Sequence, residues 1–245
     1  MAITGYYHVT PTGAGAKTGL SWAAAMDEAA FEAFVEGGGV AAGNVIFVAG
    51  GTYTLDSTIA PTVNGTAVSP ICVIGVKAGT TNVGAAVVYS DWSRASADRP
   101  YFDLGAWLFG AAGLDMWQFR NLFIEGSANL ALCLRSNCVV ENCKLHGDGA
   151  ASGNYVLYAA TGIKLYNCEV YADNSSGITV GYGAVIIHNY FHDMPHATNG
   201  IAITATTQPY CCIVGNIFDN IGNIAVSLGA QSNDTVANNT STAER

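Results

Sequence analysis

The chain is short of charge. Among its 245 residues there are only nine basic and eighteen acidic side chains, too few for the Lys- and Glu-rich surfaces of a solvated helical protein. No run of Lys and Arg occurs, and the formal net charge is −9. Binding to nucleic acid through phosphate contacts, which needs clustered cations, is therefore not expected, and neither is an anionic membrane partner. No stretch approaches the length of about eighteen apolar residues that a membrane-spanning helix needs. The opening Met1-Ala2-Ile3-Thr4-Gly5 has neither the basic nor the apolar region of a secretory signal. The expectation is a protein without a signal peptide in this chain, located on a virion or an extracellular surface. Seven cysteines are present without any C-x-x-C pair, so zinc and thioredoxin-like chemistry lack their usual spacing. Most of the cysteines sit in apolar strand-like runs, where a free thiol behaves as a small hydrophobe.

What the chain has is glycine, 29 residues of it, and an apolar half, enough for a sizeable core rich in turns. It also has an internal repeat, the signature of stacked architecture. Phe119-Arg120-Asn121-Leu122-Phe123 is followed by Val140-Glu141-Asn142-Cys143-Lys144, Leu165-Tyr166-Asn167-Cys168-Glu169, Ile187-His188-Asn189-Tyr190-Phe191, Val214-Gly215-Asn216-Ile217-Phe218 and Val236-Ala237-Asn238-Asn239-Thr240. The asparagines recur at intervals of 21, 25, 22, 27 and 22 residues. A second register, Gly177-Ile178-Thr179-Val180, Gly200-Ile201-Ala202-Ile203 and Asn223-Ile224-Ala225-Val226, repeats every 23 residues. Within each repeat apolar residues alternate with small or polar ones, as half-buried strands require. Each repeat reads as one coil of about three short strands. Asn121, Asn142, Asn167, Asn189, Asn216 and Asn238 are expected to stack as a structural ladder, because Asn tolerates the left-handed backbone and its amide bonds nearby backbone.

The segment Tyr6-Tyr7-His8-Val9-Thr10-Pro11-Thr12-Gly13, then Gly19-Leu20-Ser21-Trp22-Ala23-Ala24-Ala25, then Val45-Ile46-Phe47-Val48-Ala49-Gly50-Gly51-Thr52-Tyr53, together with the coil repeats, resembles the pectin-lyase-like, right-handed parallel β-helix superfamily over nearly the whole chain. The fold class this implies is all-β, a parallel β-helix solenoid with an N-terminal capping α-helix. The expected division is residues 1–55 as cap and first strand and residues 56–245 as coils, most regular from about residue 116. Ser21 is expected to cap a helix from about Trp22 to Val35, with Trp22, Ala25, Met26, Ala29, Ala30 and Phe34 on its apolar face and Gly37-Gly38-Gly39 ending it. Residues 238–245 are polar, without an aromatic cluster or amphipathic helix to close the core. The end is expected either to continue in a longer chain or to be covered by another subunit.

The superfamily's fold implies no single function. Its enzymes use carboxylates with calcium, an Arg or Lys base, or paired carboxylates. Short arginine motifs like those of pectate lyases are absent here, as is an adjacent pair of aspartates like that of the polygalacturonase-like hydrolases. Within the regular coils, from about residue 116 to the polar end that begins at residue 238, only Arg120, Arg135, Lys144 and Lys164 are basic. The outward positions of the second register, Thr179, Ala202 and Ala225, cannot transfer protons. The best candidates form a turn column after the third strand of each coil: His146 with Asp148, Asp173, His192 with Asp193 and nearby His196, then Asp219. Of these, His192, Asp193, His196, Asp173 and Asp219 could act as acids or bases, and Asp148, Asp173 and Asp193 could hold a metal, calcium if the chain is a lyase. Trp92, Tyr101, Trp107 and Trp117 serve either the core or a sugar platform. Asn64-Gly65-Thr66, Asn174-Ser175-Ser176, Asn233-Asp234-Thr235, Asn238-Asn239-Thr240 and Asn239-Thr240-Ser241 read as turn sequences, since without a secretory signal the glycosylation motif has little force. The expected function is a non-enzymatic structural, decoration or fibre-like component of a larger assembly such as a phage virion, with glycan binding as an optional further capacity. Its partners would be further copies of itself or other virion or surface proteins. A polysaccharide lyase or glycoside hydrolase and a secreted adhesin are the alternatives.

Overall fold

A computed structural model describes residues 2–55, 57–76, 99–126, 131–147, 155–196, 200–205, 210–229 and 233–242. From residue 132 onward the chain runs in coils of three strands. One coil is Leu132–Ser136, Val139–Glu141 and Lys144–Gly147; the next is Tyr155–Thr161, Lys164–Tyr166 and Glu169–Ala172. Coils with Ser176–Tyr182, Ile201–Ala205 and Ile224–Leu228 as first strands follow. The three strands of a coil join three different sheets, of six, nine and eight strands, and every strand pairs in parallel with its counterparts in the coils above and below. This is a parallel β-helix.

Period-two alternation makes the core. Phe119, Val140, Leu165, Ile186, Ile213 and Val236 are in register down the nine-stranded sheet, and Ile124, Leu145, Val170, Phe191 and Phe218 down the eight-stranded one. Leu132, Leu157, Ile178, Ile203 and Val226 close the third side. Each column is buried except at Val226 and Val236, in the last described coil.

The corner between the nine- and eight-stranded sheets needs one left-handed residue per coil. Asn121, Asn142, Asn167, His188, Gly215 and Asn238 hold it, with φ of 57, 53, 51, 56, 67 and 54°. The next residue in each coil, Leu122, Cys143, Cys168, Asn189, Asn216 and Asn239, is the one that points toward the core side of the corner. The six repeat asparagines therefore do not form one column. Asn121, Asn142, Asn167 and Asn238 are corner residues, whereas Asn189 and Asn216 are inner residues, one position further on. Strand pairing decides this, since Tyr166 lies beside Ile187 and Ile187 beside Val214.

The inner ladder is Asn189, Asn216 and Asn239. Asn216 Oδ1 accepts from Asn189 N at 2.9 Å while its Nδ2 donates to Ile186 O at 3.0 Å, and Asn239 repeats both bonds on Asn216 N and Ile213 O. Cys168 does the same with sulfur: Sγ accepts from Cys143 N at 3.5 Å and donates toward Val140 O at 3.6 Å. At the opposite corner Cys138 Sγ bonds Leu114 O at 3.0 Å and accepts from Trp117 N at 3.4 Å. These cysteines are more than small hydrophobes, because their thiols satisfy backbone groups that a buried corner would otherwise orphan.

The N-terminal cap departs from expectation in one respect. Trp22–Ala24 is a single 3-10 turn without a side-chain bond from Ser21, and the α-helix, here α1, runs Glu28–Glu36. Met26 cannot be helical because its backbone is held between neighbours: Met26 N donates to His8 O and Thr10 N donates to Met26 O. Asp27 is the cap, its Oδ1 accepting from Ala30 N at 2.9 Å. Phe31 and Val35 are the buried side chains of α1 and close the end of the core beside Phe102 and Phe109. Gly37 ends the helix as expected. The strand Gly5–Val9 is already a rung of the nine-stranded sheet, ahead of Asn44–Ala49. Among the described residues no helix is long and apolar enough to cross a membrane.

Candidate functional site

Alternation that sends Leu145, Val170, Phe191 and Phe218 inward sends their neighbours outward on the eight-stranded sheet. Two outer columns result. One contains Tyr101, Phe123, Lys144, Glu169, Tyr190 and Ile217; the other contains Asp103, Glu125, His146, Tyr171, His192 and Asp219. Rungs of a parallel sheet lie about 4.8 Å apart, so each outer side chain has those above and below as its neighbours.

The polar groups of this strip form two connected sets. In the first, Tyr101 Oη donates to Glu125 Oε1 at 2.8 Å, and Glu125 Oε2 lies 2.8 Å from His146 Nδ1. Asp173 Oδ2 is 3.6 Å from His146 Nε2. In the second, Glu169 Oε1 is 3.0 Å from both Lys144 Nζ and His192 Nε2, while His192 Nδ1 is 2.9 Å from Asp193 Oδ2. Asn220 Nδ2 donates to Asp193 Oδ1 at 2.8 Å, and Tyr190 Oη donates to Asp219 Oδ2 at 3.1 Å.

Burial disfavours charge on His192, but hydrogen bonds to Glu169 and Asp193 outweigh it and hold the imidazole above its ordinary pKa. Burial likewise opposes ionisation of Glu169, and bonds from His192 and Lys144 outweigh it to hold the carboxyl below the usual range. Asp193 is held low by His192 and Asn220. Tyr190 is pushed up, first by burial and then by its bond to Asp219.

Three rings stack along the axis: His146 on Tyr171 with centroids 4.0 Å apart, and Tyr171 on His192 at 5.1 Å. Tyr190 lies on His192 at 4.4 Å, and Lys144 Nζ sits 4.8 Å from the Tyr171 centroid. Stacking uses the faces, so the strip offers solvent mainly ring edges, N–H and O–H groups. It is a surface for hydrogen bonding.

The expected turn column is thus a strand face. His146, His192 and Asp219 belong to one outer column within strands, and Asp193 lies in the strand Tyr190–Met194 with φ of 48°. Asp173 is beside His146. His196 lies beyond the strand end, where its carbonyl accepts from Gly200 N, and Asp148 falls outside the described residues. Glu125, Lys144, Glu169, Tyr171 and Tyr190 were not anticipated; their signal is polar residues two apart, as in Lys144/His146 and Tyr190/His192. As calcium ligands the two described candidates, Asp173 and Asp193, fit poorly. Asp173 and Asp193 pair with His146 and with His192 and Asn220, and among the described residues no three His, Cys, Asp or Glu side chains converge as metal ligands, whereas calcium takes roughly six to eight oxygens.

On the six-stranded sheet the outer column is Cys133, Tyr158, Thr179, Thr204 and Ser227. Ala202 does not lie beside Thr179, because Ile178 pairs with Ile203 and not with Ile201. Of the aromatic candidates, Trp117 is in the core and Tyr101 is buried; Trp107 is exposed and Trp92 lies outside the described residues.

No protein-family model matches the chain, and no curated protein matches it. Among solved structures it is similar to a mannuronic acid-specific polysaccharide family 6 lyase from human gut microbiota, at 14% identity and a TM-score of 0.63 over 92% of this chain and 52% of that one. It is also similar to a pectate lyase, at 14% identity and a TM-score of 0.51 over 100% of this chain and 80% of that one. The chain spans about half the length of the first of these. The likeness is one of fold, a right-handed parallel β-helix.

Proposed function

We propose that this β-helix is a non-enzymatic, glycan-binding component of a larger surface assembly such as a phage particle, and that the strip on its eight-stranded sheet is the binding face. One observation carries the reading: His192, Glu169, Lys144 and Asp193 at the centre of the strip are committed to one another. Both ring nitrogens of His192 are engaged, by Glu169 and Asp193, and a base so held has no lone pair for a substrate proton. A preformed set of N–H, O–H and carboxylate groups is nonetheless well suited to sugar hydroxyls. Tyr158, Tyr182 and Tyr210 are exposed, the last two meeting edge to face at 5.7 Å. Together with the low charge they favour a protein whose surface is partly covered by neighbours.

Light scattering on the purified chain, together with oligosaccharide titration, tests this. A trimer or larger assembly that binds oligosaccharide and leaves it intact is the expected result. A monomer that cleaves the sugar overturns it. The second reading, a polysaccharide lyase, is favoured by Lys144, whose ammonium group on the open sheet face lies against Glu169 and Tyr171. Release of unsaturated products from polymannuronate or polygalacturonate, abolished by Lys144→Ala, would establish that reading in its place.

A further inference from the structure

The corner column beside the strip has a gap. Asn142, Asn167 and His188 present side chains along it, and then Gly215 presents none. A cleft of 450 Å³ opens there, lined also by Glu169, Tyr190 and Ile217. Its volume is in the range of small-molecule sites, roughly 300–1,000 Å³.

The gap is built by two departures from the asparagine pattern in consecutive coils. His188 replaces Asn at the left-handed position, and its larger ring needs room over the next coil. Gly215 supplies that room: a Cβ there would stand 2.6 Å from His188 Cδ2 and 3.0 Å from Nε2. Among the described residues nothing bonds the Asn167 amide or the His188 ring, and both residues are exposed. Asn142 has given its Nδ2 to Asn121 Oδ1 at 2.7 Å and retains its carbonyl oxygen. Tyr190 is 38% exposed yet held in place by His192 and by its bond to Asp219.

We infer that this cleft is a subsite for one uncharged pyranose unit, an inference that rests on the glycan-binding reading and gives it a location and a ligand class. Amide, imidazole and phenol groups supply both donors and acceptors to sugar hydroxyls, while Ile217 and the Tyr190 ring supply apolar contact for the sugar's C–H face. Among the described residues no Lys or Arg lines the cleft, and Glu169 on its wall is already paired with Lys144 and His192, so a uronate carboxylate would find no guanidinium or ammonium partner there.

The test is calorimetric titration of the chain with cellotetraose and tetra-N-acetylchitotetraose, with tetragalacturonate as the acidic control. Gly215→Asn keeps the left-handed backbone and takes the room that the His188 ring occupies, pushing that exposed ring into the cleft, and His188→Asn restores the common corner residue and removes the ring. Saturable binding of a neutral tetrasaccharide, weakened about tenfold or more by each variant with unchanged melting, is the expected result. Neutral-sugar binding that survives both variants but is lost in Lys144→Ala overturns the cleft and leaves the glycan-binding strip standing. Binding of tetragalacturonate alone does the same. If no oligosaccharide binds at all, the cleft and the glycan reading fall together.

Discussion

His192 shows how single side chains on this scaffold acquire their properties from the coils above and below. Its raised pKa means that its pairing stabilises the fold fully below the ordinary imidazole value of 6.5 and that this stability is lost as pH rises through the folded value. Glu169, with a lowered pKa, contributes above the ordinary 4.5 and loses that contribution as pH falls through its folded value. The pair is worth most between those two pH values. His192→Gln should therefore lower stability by about 1 kcal/mol in mildly acidic buffer, with the difference shrinking toward alkaline pH, as thermal melts in a pH series will show. A deficit that grows with pH would contradict the assigned pairing. The ladder cysteines make a second case. Removing the Cys168 sulfur leaves Cys143 N–H without its acceptor in the core, so Cys168→Ala should cost about 1–3 kcal/mol. Cys168→Asn, which imitates Asn189 in the next coil, should recover much of that in denaturant titration. Burial pushes the Cys138 thiol up to about 11, so it should react with thiol reagents only as the protein unfolds.

Elements in this fold are short, and their ends are set by neighbours more than by propensity. The segment from Trp22 has an apolar helical spacing, yet the helix cannot pass through residues 25 and 26, because Ala14 N bonds Ala25 O while His8 O and Thr10 N take the backbone bonds of Met26. The helix therefore starts more than a turn later, at Glu28, with Asp27 as its cap. That aspartate is held low by Lys17 first and by Ala30 N–H second. Asp27→Ala should cost about 1 kcal/mol, and in the wild type the same contribution should fade as pH falls through the lowered carboxyl value, a fall that melts in acid will detect. Three acidic residues one turn apart then fasten α1 to the following segment, with Glu28, Glu32 and Glu36 accepting from Thr54 N, Ser57 Oγ and Ala60 N. Their common spacing of four was visible in the sequence. What they would hold was not, because the acceptor's partner lies in a segment without a repeat.

Across the whole molecule, burial depends on having a coil on each side. Ile186 and Val236 occupy the same inward column, yet Ile186 is fully buried and Val236 is 44% exposed. Ile186→Ala should cost about 2–5 kcal/mol, whereas Val236→Ala should cost under about 1 kcal/mol. Equal costs would mean that the last coil is covered in solution, and the light-scattering mass would then identify by what. Stacked coils of this kind unfold from their least covered end, so hydrogen exchange should be fastest in Ile224–Leu228 and Thr235–Ala237.

Sequence alone determined that the chain is a stack of short strands, because alternation of apolar and polar residues and a recurring period are local properties written into every coil. It also determined that asparagine belongs at the corners, since few other residues accept the left-handed backbone. Only the tertiary structure decided which residue lies above which. Coil lengths vary, from 21 residues between Asn121 and Asn142 to 27 between His188 and Gly215, so counting along the chain shifts the register by one residue at Asn189 and by two at Ile201. A shift of one turns an inner position into a corner position. That is why the ladder of Asn189, Asn216 and Asn239, the pairing of His192 with Glu169, and the gap at Gly215 emerge only when the parallel hydrogen bonds fix each strand against its neighbours.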